Sequence, residues 1–192
     1  MALVHHYEFP DRFVAGTVGQ PGERTFFVQA RQGSRLTSVV CEKQQVQVLA
    51  DHLERVLDEL ARLSDGMLDI PSARTTARDL DPLDAPLQED FRAGTMTIAW
   101  DAELSAVQVE MFTVVDDDEE EQQQPDFPFS GEQPDNESLS VKITPEQARD
   151  FVARARSLVA AGRPACPFCG QPINPEGHIC PRSNGYRRPL FE

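Results

Sequence analysis

A strand followed by an amphipathic helix occurs twice in this sequence, 102 residues apart, with the apolar positions in step. The shift places Val39 on Val141, Gln45 on Gln147, Val46 on Ala148 and Leu49 on Phe151. It continues with Leu53 on Ala155, Val56 on Leu158 and Leu57 on Val159. Between Lys43 and Leu63 the residues Val46, Leu49, Leu53, Val56, Leu57 and Leu60 recur at helical spacing, which predicts one helix with a single apolar face. The second helix opens with Thr144 as N-cap, Pro145 at the first helical position and Gln147 completing a capping box. Its apolar face is Ala148, Phe151, Val152, Ala155, Leu158 and Val159.

Upstream of the first helix, residues 13–18, 25–31 and 36–41 are rich in β-branched and aromatic side chains. The turn signals Gly19-Gln20-Pro21-Gly22 and Gln32-Gly33-Ser34 divide them, and such short links predict antiparallel neighbours. Upstream of the second helix, residues 96–100, 107–114 and 139–143 read as strands, with Trp100 on the inward phase as a core residue. The fold class expected is α+β: duplicated strand-strand-strand-helix units, about 6–63 and 93–162, sharing one antiparallel sheet or a partly closed barrel with two packed helices. The alternative is that two amphipathic helices following strands align this well without duplication. A core of residues 1–162 and a C-terminal appendage of residues 163–192 are the expected domains.

Charge is distributed unevenly. Of the formal net charge of −14, residues 1–62 carry −1, residues 63–137 carry −17 and residues 138–192 carry +4. Such an acidic surplus opposes non-specific attraction to nucleic acid or anionic lipid, whose phosphates need a cationic surface. Residues 64–92, with Pro71, Pro82, Pro86 and many aspartates, read as a loop or as turns packed on the core. Residues 116–137, with Asp116 to Glu121 unbroken, lack apolar content and read as an acidic disordered insertion, either a solvated one or a binding tail for a basic partner. No stretch approaches the roughly 20 apolar residues that cross a bilayer, and no leader precedes the core, so no membrane association and a cytoplasmic location are expected.

The chemistry lies at the C-terminus. Cys166-Pro167-Phe168-Cys169-Gly170 sets two thiolates on one tight turn, and Gly170 can adopt the positive φ that closes it. His178 and Cys180 sit at i and i+2 of an extended segment, so both point to the same side. Four protein ligands close a tetrahedron and leave no position for water or substrate, the pattern of structural zinc. A redox pair at Cys166 and Cys169 would need neither His178 nor Cys180, and iron is the other metal such a thiolate-rich set admits. Beyond it, Arg182, Tyr186, Arg187 and Arg188 offer an anion or nucleic-acid surface, or a tail paired with the chain's own acids.

Catalytic signatures are not legible: no glycine-rich phosphate loop, nucleophile elbow or His-Glu-x-x-His occurs. Cys41, placed opposite Ile143 by the repeat, reads as a buried apolar residue, and His52 as an exposed one. His5, His6, Tyr7, Glu8, Arg12 and Arg24 are the polar groups that a site between the halves would gather.

The opening from Tyr7 through Arg12-Phe13 to Gly19, and the ending from Cys166 through Cys180 to Gly185, resemble an actinobacterial family defined by a domain of unknown function, family 3090. The resemblance implies a bacterial cytosolic origin and supplies no activity or catalytic residue. The function expected is therefore that of a zinc-binding, non-enzymatic adaptor with a protein partner. Nucleic-acid binding through the basic tail and an enzyme with a site between the halves are the alternatives.

Overall fold

The computed structural model describes residues 3–113, 137–162, 166–171, 173, 177–180 and 182. Its strands are β1 (Leu3–Glu8), β2 (Arg12–Val18), β3 (Thr25–Gln32), β4 (Arg35–Cys41), β5 (Phe91–Asp101), β6 (Ala106–Thr113) and β7 (Glu137–Ile143). Helix α1 (Lys43–Leu63) follows β4, and α2 (Pro145–Ala160) follows β7. The class is α+β, and the order strand-strand-strand-helix occurs twice, as β2-β3-β4-α1 and β5-β6-β7-α2.

All seven strands form one sheet in the order β1-β7-β6-β5-β4-β3-β2. Laid flat, six gaps of roughly 4.8 Å would hold its two edge strands about 29 Å apart. Yet β1 and β2 are joined only by Phe9, Pro10 and Asp11, a link that reaches at most about 14 Å. The sheet must therefore curl until its edges approach, and contacts across the interior bear this out. Tyr7 of β1 bonds through its hydroxyl to Thr37 Oγ1 of β4 at 2.8 Å, and His5 stacks on Phe91 with ring centroids 6.3 Å apart.

The two units meet through parallel pairs. Val39 and Val40 of β4 pair with Phe91 and Arg92 of β5, whereas β1 pairs along its whole length with β7, from Leu3 opposite Glu137 to Glu8 opposite Lys142. β5 thus does in one strand what β1 and β2 do together: its beginning pairs with the preceding unit and its remainder with its own hairpin partner. A register shift between Ala93 and Met96 marks the change, and the 9–11 link marks it in the other unit, where Phe9 takes φ +50°. A glutamine clamps each kink. Gln45 Nε2 donates to the carbonyls of Ala93 and Gly94 at 2.9 and 3.1 Å, and Gln147 Nε2 donates to that of Pro10 at 2.7 Å.

The same glutamines cap their helices. Gln45 Oε1 accepts from the Glu42 amide at 2.8 Å and Gln147 Oε1 from the Thr144 amide at 3.0 Å, while Thr144 Oγ1 accepts from the Gln147 amide at 3.1 Å. The apolar faces anticipated in the sequence are the buried ones: Val46, Leu49, Leu53 and Leu57 on α1, and Ala148, Phe151, Val152 and Ala155 on α2. Phe151 stacks on Phe13 of β2 at 4.9 Å, and Trp100 is half-buried against the core. Cys41 and Ile143 are both buried, and His52 is exposed.

Residues 64–90 do not wander. They fold over β2 and α2 as a strap with Asp79 and Asp84 as its fastenings. Gly16 on β2 makes the seat: a Cβ there would stand 2.4 Å from two Leu83 side-chain atoms. Gly16→Ala is expected to cost about 1–3 kcal/mol in chemical denaturation through overpacking. Adding Leu83→Ala should recover part of it; no recovery would show that the contact is not what limits position 16.

Two boundaries differ from expectation. β1 was not anticipated as an element, and β5 starts at Phe91 rather than at Met96. β1 and the Phe91–Arg92 start of β5 gain their partners from the other unit, a pairing that no local pattern reports. Glu137, assigned from sequence to the acidic insertion, belongs to β7; residues 116–136 lie outside the described residues. No described helix is long and apolar enough to cross a membrane.

Candidate metal centre

Cys166, Cys169, His178 and Cys180 come together, with their ligand atoms all within 4.8 Å of one another. The Cys166 and Cys180 sulfurs are 3.7 Å apart, and Cys169 Sγ lies 3.2 Å from His178 Nε2. Four ligands at zinc distances in a tetrahedron would stand about 3.8 Å apart for two sulfurs and about 3.5 Å for sulfur and nitrogen. The set is close enough to bind one metal ion, and its donors, three soft thiolates and an imidazole, are compatible with zinc.

The backbone prepares this convergence. Gly170 N–H donates to the Cys166 carbonyl and Cys166 N–H to the Gln171 carbonyl, each at 2.8 Å, so the chain folds back around the first two sulfurs. Gly170 takes φ +75°, the left-handed value that a side chain would resist, and Gly177 takes +91° just ahead of His178. Burial pushes the Cys166 thiol up, but hydrogen bonds from the Cys169 and Phe168 amides and from the neighbouring thiols bring it below its ordinary value. At Cys169 the Gln171 amide pulls the thiol down, while burial and the adjoining sulfurs of Cys166 and Cys180 raise it above. Crowded sulfurs cannot all carry charge unaided; a dication is the natural counter-charge.

The centre has an exposed tip. Phe168, between the first two cysteines, is 62% exposed, and Ile179, between His178 and Cys180, is 83% exposed. Arg182 braces the tip by donating from Nη1 to the Phe168 carbonyl at 3.1 Å. Tyr186, Arg187 and Arg188 lie outside the described residues.

The polar residues considered for a site between the halves separate into different places. His5 and Tyr7 turn inward onto Thr37, whereas His6 and Glu8 of the same strand are exposed. Arg24 donates to the Leu158 and Ala161 carbonyls at the end of α2. Arg12 is committed to the strap: Nε and Nη2 grip Asp79 at 2.6 and 2.9 Å, and Nη1 reaches Asp84 at 2.9 Å.

Sequence reasoning missed the partner of Arg12 in that network. Arg154, on the buried side of α2, donates to the carbonyls of Ala15, Asp79 and Asp81 at 2.6, 2.7 and 2.6 Å, and to Asp79 Oδ1 at 3.0 Å. Asp79 therefore lies between two guanidinium groups. The hydrogen bond from Arg12, with the charges of Arg12 and Arg154, holds its carboxyl below the usual carboxylate range. A carboxyl depressed on folding contributes stability that is complete above its unfolded value, about 3.9, and is lost as pH falls through the lower folded value. Urea midpoints of wild type and Asp79→Asn should accordingly differ at pH 7 and converge at low pH; a gap undiminished in acid would contradict an ionic role for Asp79.

No curated protein and no solved structure matches this chain. The family model described as "Protein of unknown function (DUF3090)" matches residues 5–180, a span that takes in β2 to β7, both helices and all four candidate ligands. The chain therefore belongs to that family, DUF3090, whose proteins are of unknown function.

Proposed function

We propose that this protein is a cytoplasmic, non-enzymatic adaptor in which a structural zinc ion shapes residues 163–192 for binding a protein partner, beside a core formed by residues 1–162. One observation carries the reading: a four-ligand set leaves no coordination position for substrate, yet the turns it organises expose Phe168 and Ile179. Large apolar side chains held out on a rigid turn, with an arginine alongside, have the composition of a binding hot spot. The repeated element order and the paired glutamine clamps at Gln45 and Gln147 support internal duplication as the origin of the core.

The test compares proteins retained by the zinc-loaded wild type with those retained by Phe168→Ser/Ile179→Ser, which leaves all four ligands in place. Retention of a defined partner should fall at least about tenfold, the effect of losing one or two hot-spot side chains. Equal retention by both proteins would remove the tip from the proposal, and turnover of a small molecule without any partner would remove the adaptor role.

Nucleic-acid binding through Arg182, Tyr186, Arg187 and Arg188 is the second reading. It is favoured by Arg182, which among the described residues bonds to a carbonyl and to no carboxylate. It requires affinity for a single-stranded oligonucleotide that weakens with salt and falls when these arginines are neutralised.

A further inference from the structure

A second place on the molecule has the chemistry of a ligand site and does not involve the metal centre. Where the β2–β3 turn, the start of α1 and the end of α2 meet, a cleft of about 240 Å³ opens, lined by Arg24, Lys43, Phe26, Leu158, Pro21 and Gly162 among others. Its floor is apolar, its only charged lining residues among the described residues are the two cations, and it draws side chains from both units.

In a chain of net charge −14 that combination is unusual. Most other described cations lie within ion-pair distance of an aspartate or glutamate, Arg12, Arg31, Arg74, Arg149, Arg154 and Arg156 among them. Arg24 instead gives its donors to neutral carbonyls at the end of α2 and has no acid within ion-pair distance among the described residues. The Lys43 side chain makes no hydrogen bond or ion pair among the described residues, and its Nζ stands beside Gly162, where a Cβ would come to 3.7 Å. The acids nearest in sequence do not line the cleft, and Glu42 is drawn away to Arg92 at 3.4 Å.

We propose that this cleft binds a small anion, a carboxylate or phosphate ester, whose apolar body of about one ring lies on Phe26 and Leu158 while Lys43 and Arg24 hold its charge. The volume sets the size, smaller than the several hundred Å³ of a drug-sized pocket. The cation pair sets the charge. Lys43 is the discriminating residue, because Arg24 also secures the end of α2 and its loss would disturb the fold.

The experiment titrates phenyl phosphate, inorganic phosphate and phenol into full-length, zinc-loaded protein and follows the amide resonances of Gly22, Lys43 and Gly162. Phenyl phosphate should give saturable shifts confined to the cleft, inorganic phosphate should bind more weakly, and phenol should give none. Lys43→Gln should weaken phenyl phosphate roughly fivefold without altering the melting temperature, the scale of one partly exposed charge contact. Leu158→Ala should weaken phenyl phosphate but leave inorganic phosphate unchanged. Absence of saturable shifts by about 10 mM phenyl phosphate, or identical binding to Lys43→Gln, overturns the site. Equal affinity for phosphate and phenyl phosphate overturns the apolar body assigned to the ligand.

Discussion

Cys180→Ser is expected to empty the metal centre and unfold residues 166–182 while the sheet and both helices remain intact. Among the described residues the turns there are held by few backbone bonds, Gly170 to Cys166 and Cys166 to Gln171 among them, and the largely exposed Phe168 and Ile179 contribute little buried area. Metal binding, worth on the order of 10 kcal/mol in small zinc modules, is then the main source of order. Removing one of four ligands forfeits most of it. Elemental analysis of protein prepared without chelator should find zinc in the wild type and little in Cys180→Ser, with amide exchange accelerated only in the C-terminal segment. Cys41→Ser supplies the control, since burial pushes that thiol up to about 12 and it takes no part in the cluster. Its metal content should equal that of wild type. Wild-type protein free of transition metal, with the same spectrum before and after chelation, would end the zinc reading.

Arg154→Leu should be among the most damaging single substitutions in the core, costing about 3–5 kcal/mol. The guanidinium is nearly buried and satisfies the carbonyls of Ala15, Asp79 and Asp81 together with the Asp79 carboxylate. Leucine restores apolar volume but no donor, so those oxygens lose the guanidinium and Asp79 keeps only Arg12 and the Asp81 amide. For a chain of this length, about 2–4 °C is lost per kcal/mol, which predicts a melting temperature lower by roughly 10 °C. Arg156→Leu is the contrast. Arg156 reaches Asp51 and Glu54 at 3.0 and 2.5 Å, but its side chain is 46% exposed, and solvent-screened pairs of this kind contribute under about 1 kcal/mol. Equal losses from the two substitutions would show that burial does not set the value of the Arg154 contacts.

Legibility in the sequence followed the range of the interactions. The helices announced themselves because Val46, Leu49, Leu53 and Leu57, or Phe151, Val152 and Ala155, lie within a few residues of one another, as do the caps at Thr144 and Gln147. The hairpin strands were legible for the same reason. The four metal-binding candidates were legible because chelation fixes both residue type and spacing within fifteen positions. β1 escaped because its partner, β7, is more than 130 residues away, and Leu-Val-His-His-Tyr-Glu carries little alternation of its own. Residues 64–92 were legible only as a loop or as turns packed on the core; the anchoring of Asp79 and Asp84 by Arg12 and Arg154 escaped because arginine and aspartate read as surface residues wherever they occur. Burial of Arg149 and Arg154 on α2, among Phe151, Val152 and Ala153, follows from distant partners: residues 64–90 together with Asp58 for Arg149 and Ala15 for Arg154.

The parallel pairing of β1 with β7 bears on how the molecule assembles as it is made. When the ribosome has released only the first unit, Tyr7 and His5 have no β7 to lie beside, because Leu139 and Val141 are still untranslated. Strand β1 must wait until β7 has emerged, more than 130 residues later, and neither unit can finish its own side of the sheet alone. A nascent chain halted after Leu63 should therefore remain open to protease and chaperone, and two fragments split between α1 and β5 should be unstable apart yet able to complement each other when mixed.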